Sequence, residues 1–548
     1  MTQPNGVHGN AGATEHDNAS FTTDASLASK AKQPSGGPRR ARWAPVAFLA
    51  VICLILVCIW HPWSRGDDAA TTAGEPADTV SIGLKLAPTN LDIRNTAGSA
   101  LDQVLIGNVY QGLVARNSEN EVVPALAKSW EESKDGLTYT FHLNQGVTFS
   151  NGDPLTAEDV VWSIQELEDK QYHDSDALKN FKSISAPNDD TVVITLSKPY
   201  SNLLWALTGR AGLVFDKDAK YVAKTQAVGS GPYEVESFTP NSSLVLKANP
   251  DYWGTKPKTG TIVIKYFADD NAAVNALKSG DVQVLAPISA TLAEPFASDT
   301  DHYVVAAGDG TDKYVLGMNN ADGKATADRR VRQAIRYAIN HDELIASRGG
   351  ADRALGGPIP SLDPGYEDLT ALYPYNPDKA RELLKEAGYD EDHPLKLTLT
   401  YANTYGSEIG DQLRSQLAKV GIDLKVNVVE FSTWLQDVYT DKDYDLSLVD
   451  HNESHDFTQW SNPDYYYNYD NEEVQRLTAQ AQAATSDEER DTLLAKAARI
   501  VSQDAAADWL FNYRVTTATA KGVEGFPLNM NQTVMPLAEL TYTSVSGK

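Results

Sequence analysis

Alternating apolar and polar positions predict short β-strands along most of the chain beyond residue 78. Within 137–143, apolar side chains occupy every second position from Leu137 to Leu143, which places them on one face of a strand. Comparable alternating or continuously apolar runs predict strands at 79–86, 191–196, 261–267, 281–285, 395–401, 423–429, 444–449 and 509–514.

Between these strands, apolar residues recur at helical spacing. Several helix ends carry clear signals: Thr156 and Asp159 form a capping pattern, and Asn376 precedes Pro377 at a first helical turn. Strands and helices that alternate in this way are typical of α/β domains. The predicted helices cover 99–110, a segment after Thr156, 271–278, 329–340, 377–387, 407–419, 432–439, 471–484 and 487–502.

The glycines around Ser230 predict a tight turn or hinge. Gly229 and Gly231 permit left-handed backbone and the close approach of another segment, and Pro232 fixes one backbone dihedral. A hairpin follows, with strands at 233–237 and 244–246.

An uncharged apolar run at 43–60 predicts a membrane segment. Its 18 residues would span roughly 27 Å as a helix, close to the thickness of a bilayer's hydrocarbon core. Arginines precede the run and acidic residues follow it, so the positive-inside rule places 1–42 in the cytoplasm and the bulk of the chain outside. We expect a retained anchor, with a disordered cytoplasmic tail at 1–42 and a tether at 61–78.

The composition narrows the class of partners. A net charge of −27 argues against binding to nucleic acid. Cys53 and Cys58 are the two cysteines of the chain and both lie in the apolar run, so the globular part has no disulfide and no thiolate metal site. A small residue precedes neither cysteine, which argues against a lipoprotein signal.

Seven short motifs, in one order along the chain, carry a resemblance to a known family. The chain resembles the extracytoplasmic solute-binding proteins of ABC importers in the dipeptide, oligopeptide and nickel class, family 5, over residues 79 to about 545. The motifs are PALAKSW (124–130), KDGLTYTFHL (134–143), NGDPLTAEDV (151–160), GSGPY (229–233), NPDYWG (249–254), VRQAIRYAI (331–339) and PDKARELL (377–384).

The resemblance implies an α/β, two-lobed periplasmic-binding-protein fold with an additional small domain, here preceded by one transmembrane helix. The lobes would be joined by crossing strands and close on a ligand. The glycines at 229–231 would return the chain from the small domain to the first lobe. The implied domains are 79–116 with 228–316 and 514–548 for the first lobe, 117–227 for the small domain, and 317–513 for the second lobe.

The segment 449–460, which follows the strand 444–449, is the main candidate for ligand binding. It is rich in acidic side chains and histidine. In peptide-binding relatives, a loop at this place supplies an aspartate that pairs with the terminal ammonium of the peptide, and either Asp450 or Asp456 would do so here. A solvated acidic loop is the alternative. The candidate ligand-binding residues are Asp450, His451, Glu453 and Asp456, with Trp460 and Tyr466 as apolar walls.

A metal site is a competing interpretation of the same loop. His451 and His455 are four residues apart beside carboxylates, a spacing that suits zinc or nickel if the segment is helical. Asn452 and Ser454 favour a loop instead, so we predict no metal ligand and no cofactor.

Two further positions are candidates for ligand contacts. Arg210, after Gly209, would pair with a ligand carboxylate or serve as a salt-bridged structural arginine. Asn319 ends the predicted strand 314–320, whose backbone would bond an extended ligand or simply cross between the lobes.

We therefore predict a membrane-tethered receptor of an ABC importer, a non-enzyme that binds peptides and delivers them to the permease and its ATPase. We expect a monomer on the cell membrane, single-pass, with its N-terminus cytoplasmic, its binding domain extracytoplasmic and no nucleic acid partner. No catalytic motif is present. The alternatives are a binder of an oligosaccharide or nickel chelate, or a secreted zinc hydrolase built on His451 and His455.

Overall fold

The computed structural model of the chain describes residues 76–545. Within this range the strands are β1 (Thr79–Leu84), β2 (Val114–Arg116), β3 (Val122–Pro124), β4 (Ala127–Glu132), β5 (Thr138–Leu143), β6 (Phe181–Asn188), β7 (Thr191–Leu196), β8 (Tyr233–Thr239), β9 (Ser243–Ala248), β10 (Thr261–Tyr266), β11 (Val284–Ala286), β12 (Tyr303–Gly308), β13 (Lys313–Met318), β14 (Leu395–Ala402), β15 (Ile422–Val429), β16 (Leu446–His451), β17 (Ala507–Asn512), β18 (Val515–Ala520), β19 (Val523–Glu524) and β20 (Thr541–Tyr542).

The α-helices of the same range begin and end mostly at the predicted signals. The capping box at Thr156 opens one of them, and Asn376 caps another ahead of Pro377. The helices are α1 (Ser99–Leu105), α2 (Ala157–Lys170), α3 (Leu203–Ala206), α4 (Asp270–Ser279), α5 (Ala290–Ala297), α6 (Arg329–Ala338), α7 (His341–Ser347), α8 (Pro377–Glu386), α9 (Glu408–Ala418), α10 (Phe431–Trp434), α11 (Glu472–Gln482) and α12 (Asp487–Gln503).

Three larger sheets organise the described chain. A seven-stranded sheet has the order β12-β18-β11-β1-β10-β9-β8, and a five-stranded sheet has the order β15-β14-β16-β13-β17. A four-stranded sheet, β4-β5-β7-β6, forms with α2 a smaller unit that has its own apolar core. We call the part around the seven-stranded sheet the first lobe, the part around the five-stranded sheet the second lobe, and the part around the four-stranded sheet the small domain.

One edge of the five-stranded sheet gathers several chain ends. Strands β14, β15 and β16 are parallel, whereas β13 runs antiparallel to both β16 and β17. The carboxyl ends of the parallel strands therefore share an edge with the start of β13 and the end of β17. At this edge Lys313 pairs in register with both His451 and Asn512.

Two adjacent segments connect the first and second lobes. Strand β12 ends in the first sheet and β13 begins in the second after residues 309–312, while β17 returns to β18 through 513–514. The two segments hydrogen-bond to each other, for example from the Tyr513 N–H to the Asp312 carbonyl at 3.0 Å. The domain limits that the sequence suggests stay a prediction.

Most predicted elements are confirmed, with changed bounds or helix type in several of them. The helix predicted at 99–110 ends at Leu105, because Gly107 adopts a left-handed φ of 77°. The helix predicted at 432–439 is a short α-helix, α10, continued by a π-helical turn at Leu435–Thr440. The strand predicted at 509–514 occupies Ala507–Asn512.

The glycines around Ser230 serve close approach. A Cβ at Gly229 would lie 2.0 Å from the Val109 carbonyl oxygen, and one at Gly231 would lie 2.3 Å from the Asn108 carbonyl oxygen. Neither glycine has a positive φ, so the left-handed backbone suggested by the sequence is wrong here. The two glycines let the start of the hairpin β8–β9 pack directly on the backbone that follows α1.

The single-pass membrane location predicted from the sequence is corrected by the structure. No helix within residues 76–545 is long and apolar enough to cross a membrane. The apolar run 43–60, on which that prediction depended, lies outside the described residues, as do the predicted tail and nearly all of the tether.

Candidate ligand-binding site

The predicted loop follows β16 at the carboxyl edge of the five-stranded sheet. Strand β16 ends with Asp450 and His451, and the chain then turns through 452–456 into a short 3-10 helix at Phe457–Ser461. The loop is therefore not helical, in agreement with the sequence. Carboxyl edges of open α/β sheets are the usual place for ligands, because several loops meet there.

Lys313 occupies the centre of the loop. Its side chain is buried, and its ammonium group donates to the Thr311 carbonyl at 3.0 Å and to the Glu453 carbonyl at 2.7 Å. The third partner is the Asp456 carboxylate at 3.2 Å. Glu453 itself is exposed. The carboxylate of Asp456 thus already faces an ammonium group from the protein.

Burial dominates the electrostatics of Asp456. It raises the pKa of this carboxyl to about 7, with a further contribution from Asp363, although Lys313 acts in the opposite direction. The cost of removing the charge from water therefore exceeds the attraction of the lysine. The pair holds the loop against the start of β13.

Asp450 differs from Asp456 in its hydrogen bonding. Its Oδ1 atom is buried and has no hydrogen-bond partner among the described residues. Burial raises the pKa of Asp450 well above its ordinary value, and the neighbouring Asp312 carboxylate raises it further. An added cationic donor would relieve both effects, because it would supply the missing hydrogen bond and an opposite charge.

His451, Trp460 and Tyr466 belong to the interior of the second lobe. The Nε2 atom of His451 lies within hydrogen-bonding distance of the Tyr466 hydroxyl, at 3.0 Å, and of the Tyr467 hydroxyl, at 2.7 Å. Burial, helped by Lys313, lowers the pKa of His451 to about 3, so the ring is neutral. Trp460 stacks on Tyr467 at 4.4 Å. These side chains pack inside the second lobe and support the loop from its interior side.

The two histidines of the loop do not converge on a common centre. His451 faces the tyrosines, whereas His455 stacks on Trp205 of the small domain at 4.3 Å between ring centroids. Within residues 76–545, no group of three or more histidine, cysteine, aspartate or glutamate side chains is arranged to hold a metal ion.

Arg210 lies in the first part of the chain with its donors engaged. Its Nε atom bonds Asp102 at 2.6 Å, and its terminal nitrogens donate to the carbonyls of Ile93, Thr96 and Gly98 at 2.6–3.0 Å. Gly209 precedes it and caps the short 3-10 helix Arg210–Gly212. These contacts favour the structural alternative for Arg210, and its role toward a ligand stays a prediction.

Asn319 is similarly enclosed. Its side-chain amide donates to the carbonyls of Lys442 and Tyr444, both at 3.0 Å, and its Oδ1 atom accepts from Asn468 at 2.8 Å. It fastens the end of β13 to the segment before β16. Its backbone N–H bonds the Asp445 carbonyl, so any contact with a ligand stays a prediction.

The surface opposite the loop contains residues that the sequence did not single out. Arg116, at the end of β2, lies over the Trp205 ring at 5.2 Å, and Trp205 in turn stacks on His455. Three buried atoms of this stack have no hydrogen-bond partner among the described residues: Arg116 Nε, Trp205 Nε1 and His455 Nε2. No local motif marks Arg116 or Trp205, because a fold is needed to bring them together.

Asp363 connects the segment that follows β2 with the loop that follows β16. Its Oδ1 atom accepts from the Asn120 amide at 3.1 Å, and its Oδ2 atom accepts from the His455 N–H at 2.9 Å. Asn120 follows β2, while Asp363 and His455 belong to the second lobe. The loop after β16 is thus bound to the segment between β2 and β3.

A cavity of about 70 Å³ lies beside this interface. One wall comes from the small domain, at Lys179 and residues 200–202. The other comes from the second lobe, at 358–364, 455–458 and the helices α11 and α12. A space with walls from two lobes can be enclosed only when the lobes meet.

The structure has two lobes, each built around an open β-sheet, and two crossing segments join them. Buried charges lie where the lobes meet. This combination defines a two-lobed solute-binding protein. A family model described as bacterial extracellular solute-binding proteins, family 5 Middle, matches residues 121–473, and the chain belongs to this family. It is a family 5 solute-binding protein of ABC importers, which confirms the family and the two-lobed fold predicted from the sequence. This is a transport family and not a family of enzymes.

Relatives with known names agree with this placement. The glutathione-binding protein GsiB of Shigella flexneri serotype 5b (strain 8401) is 29% identical over 456 residues, covering 78% of this chain and 88% of that protein. The ABC transporter substrate-binding protein CtaP of Listeria monocytogenes has a TM-score of 0.76 at 22% identity, covering 86% of this chain and 100% of that one. DppA of Helicobacter pylori, solved with the peptide STSA, has a TM-score of 0.67 at 24% identity, covering 85% and 98%.

Proposed function

We propose that this protein binds short peptides between its two lobes and presents them to an ABC permease driven by an ATPase. The similarity to GsiB and to peptide-bound DppA supports a peptide as the ligand class. The observation that carries the proposal is the contrast between the two aspartates of the loop: Asp456 is paired with Lys313, whereas Asp450 has a buried oxygen without a partner in the described chain.

Asp450 is the proposed partner of the peptide's terminal ammonium. An ammonium group has three donors and a positive charge, so it would satisfy Oδ1 and offset the raised pKa of this carboxyl. Asp456 would have to give up Lys313 to play this role, leaving a buried lysine without its counter-charge. Asp450 therefore fits the chemistry better than Asp456.

Arg116 is the proposed partner of an acceptor group at the other end of the peptide. Its Nε atom is buried and has no partner within residues 76–545, while one of its terminal nitrogens donates to the Asn120 side chain at 3.3 Å. Arg210, in contrast, has four hydrogen bonds within the protein. A carboxylate suits a guanidinium donor of this kind.

These groups come from both sides of an interface that is already formed, since Trp205 stacks on His455, and the proposed ligand would lie beside this contact. Arg116 and Trp205 belong to the part of the chain before the first crossing segment, and Asp450 and His455 belong to the second lobe. The two short crossing segments, 309–312 and 513–514, are the natural place for a hinge. We expect the protein to act as a monomer.

The oligosaccharide alternative receives no support from the aromatic residues named in the sequence analysis. Trp460 and Tyr466 are buried in the interior of the second lobe, with exposed fractions of 2% and 1%. Their faces are covered by other aromatic rings, such as that of Tyr467. Stacking on a sugar would require an accessible ring face.

Mass spectrometry of small molecules released from the purified full-length protein tests the proposal, followed by calorimetric titration. Pools of dipeptides and tripeptides would be compared with cello-oligosaccharides and with a nickel–histidine chelate. We expect peptides to co-purify and to bind, with the other two probes giving no heat of binding. Absence of peptides in the extract together with no binding from any peptide pool would overturn the proposal.

A further inference from the structure

Most of the lining surface of the cavity beside His455 is apolar, although the charged residues Lys179, Asp363 and Arg490 also line it. Four of its lining side chains, Tyr200, Ile359, Phe457 and Ala481, have exposed fractions of 7% or less. At about 15 Å³ for each water-sized atom, its volume of about 70 Å³ holds roughly five such atoms. An aliphatic side chain of four carbons fits this space, whereas the seven carbons of a phenylalanine side chain do not.

His455 is a polar residue of this wall, and it has one ring nitrogen without a partner among the described residues. Its Nδ1 atom bonds the Oδ1 atom of Asn202, and because a carbonyl oxygen only accepts, Nδ1 carries the ring proton. Burial holds the pKa of His455 well below its ordinary value, so the ring is neutral. Its buried Nε2 atom is then an acceptor that has no donor among the described residues.

The position of His455 is strongly determined by its surroundings. Its backbone adopts a left-handed φ of 58°, which is uncommon outside glycine. The hydrogen bond from its N–H to Asp363, the bond to Asn202 and the stack on Trp205 hold it there. Strained residues fixed by several contacts are frequent at ligand sites.

We propose that this cavity receives one aliphatic side chain of the bound peptide, and that a backbone N–H of the peptide next to that side chain donates to Nε2 of His455. This inference depends on the proposed function, since the cavity is lined by His455 and Asp456 of the candidate loop and would receive part of the same peptide. An apolar group beside a hydrogen-bond donor is the local chemistry of a leucine or isoleucine residue in a peptide. Because the walls come from both lobes, filling the cavity would also favour the closed state.

Titration of the full-length protein with tripeptides tests the preference. Leucine, alanine, phenylalanine or aspartate would be placed in turn at each position of an otherwise alanine tripeptide. At one position we expect leucine to bind about 50-fold more tightly than alanine, from three additional buried carbons. Phenylalanine and aspartate should bind more weakly than leucine at that position.

Two substitutions on the cavity wall make the test specific. Ala481→Leu should fill the cavity and remove the preference for leucine over alanine, and Ala479→Leu, an exposed position on the same helix α11, is the matched control. Leu494→Ala should enlarge the cavity and allow phenylalanine to bind as well as leucine. A gain of this kind distinguishes a pocket from a residue that merely supports the fold.

Methylation of the peptide nitrogen tests His455. N-methylation at the preferred leucine should weaken binding about tenfold in the wild type, as expected for a hydrogen bond lost from a buried acceptor. In His455→Asn, which tolerates a left-handed φ, the same methylation should have no effect.

The outcomes separate this inference from the proposed function. Peptide binding with equal affinity for leucine, alanine, phenylalanine and aspartate at every position would overturn the inference and leave the proposed function standing. Equal effects of Ala481→Leu and Ala479→Leu would also overturn it. Failure of every peptide to bind would overturn both.

Discussion

The two sides of the lobe interface differ in how far the sequence reveals them, although both contain buried polar atoms without a partner among the described residues. The segment 449–460 is conspicuous for its charges and histidines. Lys313, two tyrosines and Gln459 bond the side chains of Asp456 and His451, whereas Asp450 Oδ1 and His455 Nε2 have no hydrogen-bond partner among the described residues. The opposite side has no motif, yet Arg116 Nε and Trp205 Nε1 are likewise buried there without partners in the described part of the chain. Residues ready for a ligand are thus distinguished by missing partners and not by the charge of their segment.

The largest expected effect concerns the segment 449–460, where Lys313 pairs with Asp456. Lys313→Met removes the partner of the buried Asp456 and should lower the free energy of unfolding by about 3–5 kcal/mol. Lys324→Met is the control, because Lys324 is more exposed and its nearest carboxylate, on Asp445, is 3.5 Å away. It should cost about 1 kcal/mol or less. Denaturant unfolding measures both, and equal losses would contradict the central role assigned to Lys313.

Arg210 and Arg116 lie on opposite ends of this comparison, because Arg210 is proposed to stabilise the fold and Arg116 to bind the peptide. Arg210→Met should destabilise the fold by about 3 kcal/mol, since it removes the partner of the partly buried Asp102 and the donors to three carbonyls. Peptide affinity at a temperature where the variant is folded should change little.

Arg116→Met should weaken peptide binding more than it destabilises the fold. We expect a loss of about tenfold in peptide affinity, about 1.4 kcal/mol, with a smaller change in unfolding free energy. Calorimetric titration and denaturant unfolding of both variants provide the comparison. An Arg210 variant that folds normally but loses binding would restore the role considered for it from the sequence.

The pH dependence of stability gives a smaller effect. Burial raises the pKa of Asp456 to about 7, above the ordinary value of 3.8, so the folded protein binds this proton more tightly than the unfolded chain. The stability from that proton is present at low pH and is lost as the pH rises from about 4 to 7. The slope is at most about 1.4 kcal/mol per pH unit.

Asp456→Asn removes this titration and should flatten the dependence of unfolding free energy on pH over the same range. Asp423→Asn, an exposed position on β15, is the control and should leave the slope as it is. Parallel curves for wild type and Asp456→Asn would contradict the raised pKa.

Much of the fold follows from local sequence signals. The capping pattern at Thr156 and the Asn376–Pro377 start mark helix ends, and period-two alternation marks the strands, because both depend on neighbours in the chain. The seven short sequence motifs were sufficient to predict the protein family.

The site was only partly accessible to the same reasoning. The sequence located the loop after β16 but could not choose between Asp450 and Asp456, because the choice depends on Lys313, which lies more than a hundred residues away in the chain. Arg210 and Arg116 are both isolated arginines in the sequence. Only the tertiary structure shows that Arg210 has four hydrogen bonds within the protein, whereas Arg116 Nε has no partner among the described residues. Distant contacts of this kind leave no periodic trace in the sequence.

The most direct test of the proposed role of Asp450 is the affinity of one tripeptide, with and without an acetylated N-terminus, for the wild type and for Asp450→Asn. Acetylation removes the ammonium charge. In the wild type we expect it to cost about 2 kcal/mol or more, roughly 30-fold. In Asp450→Asn the two forms should bind alike, and Asp423→Asn should behave as the wild type. Undiminished preference for the free ammonium in Asp450→Asn would contradict the account.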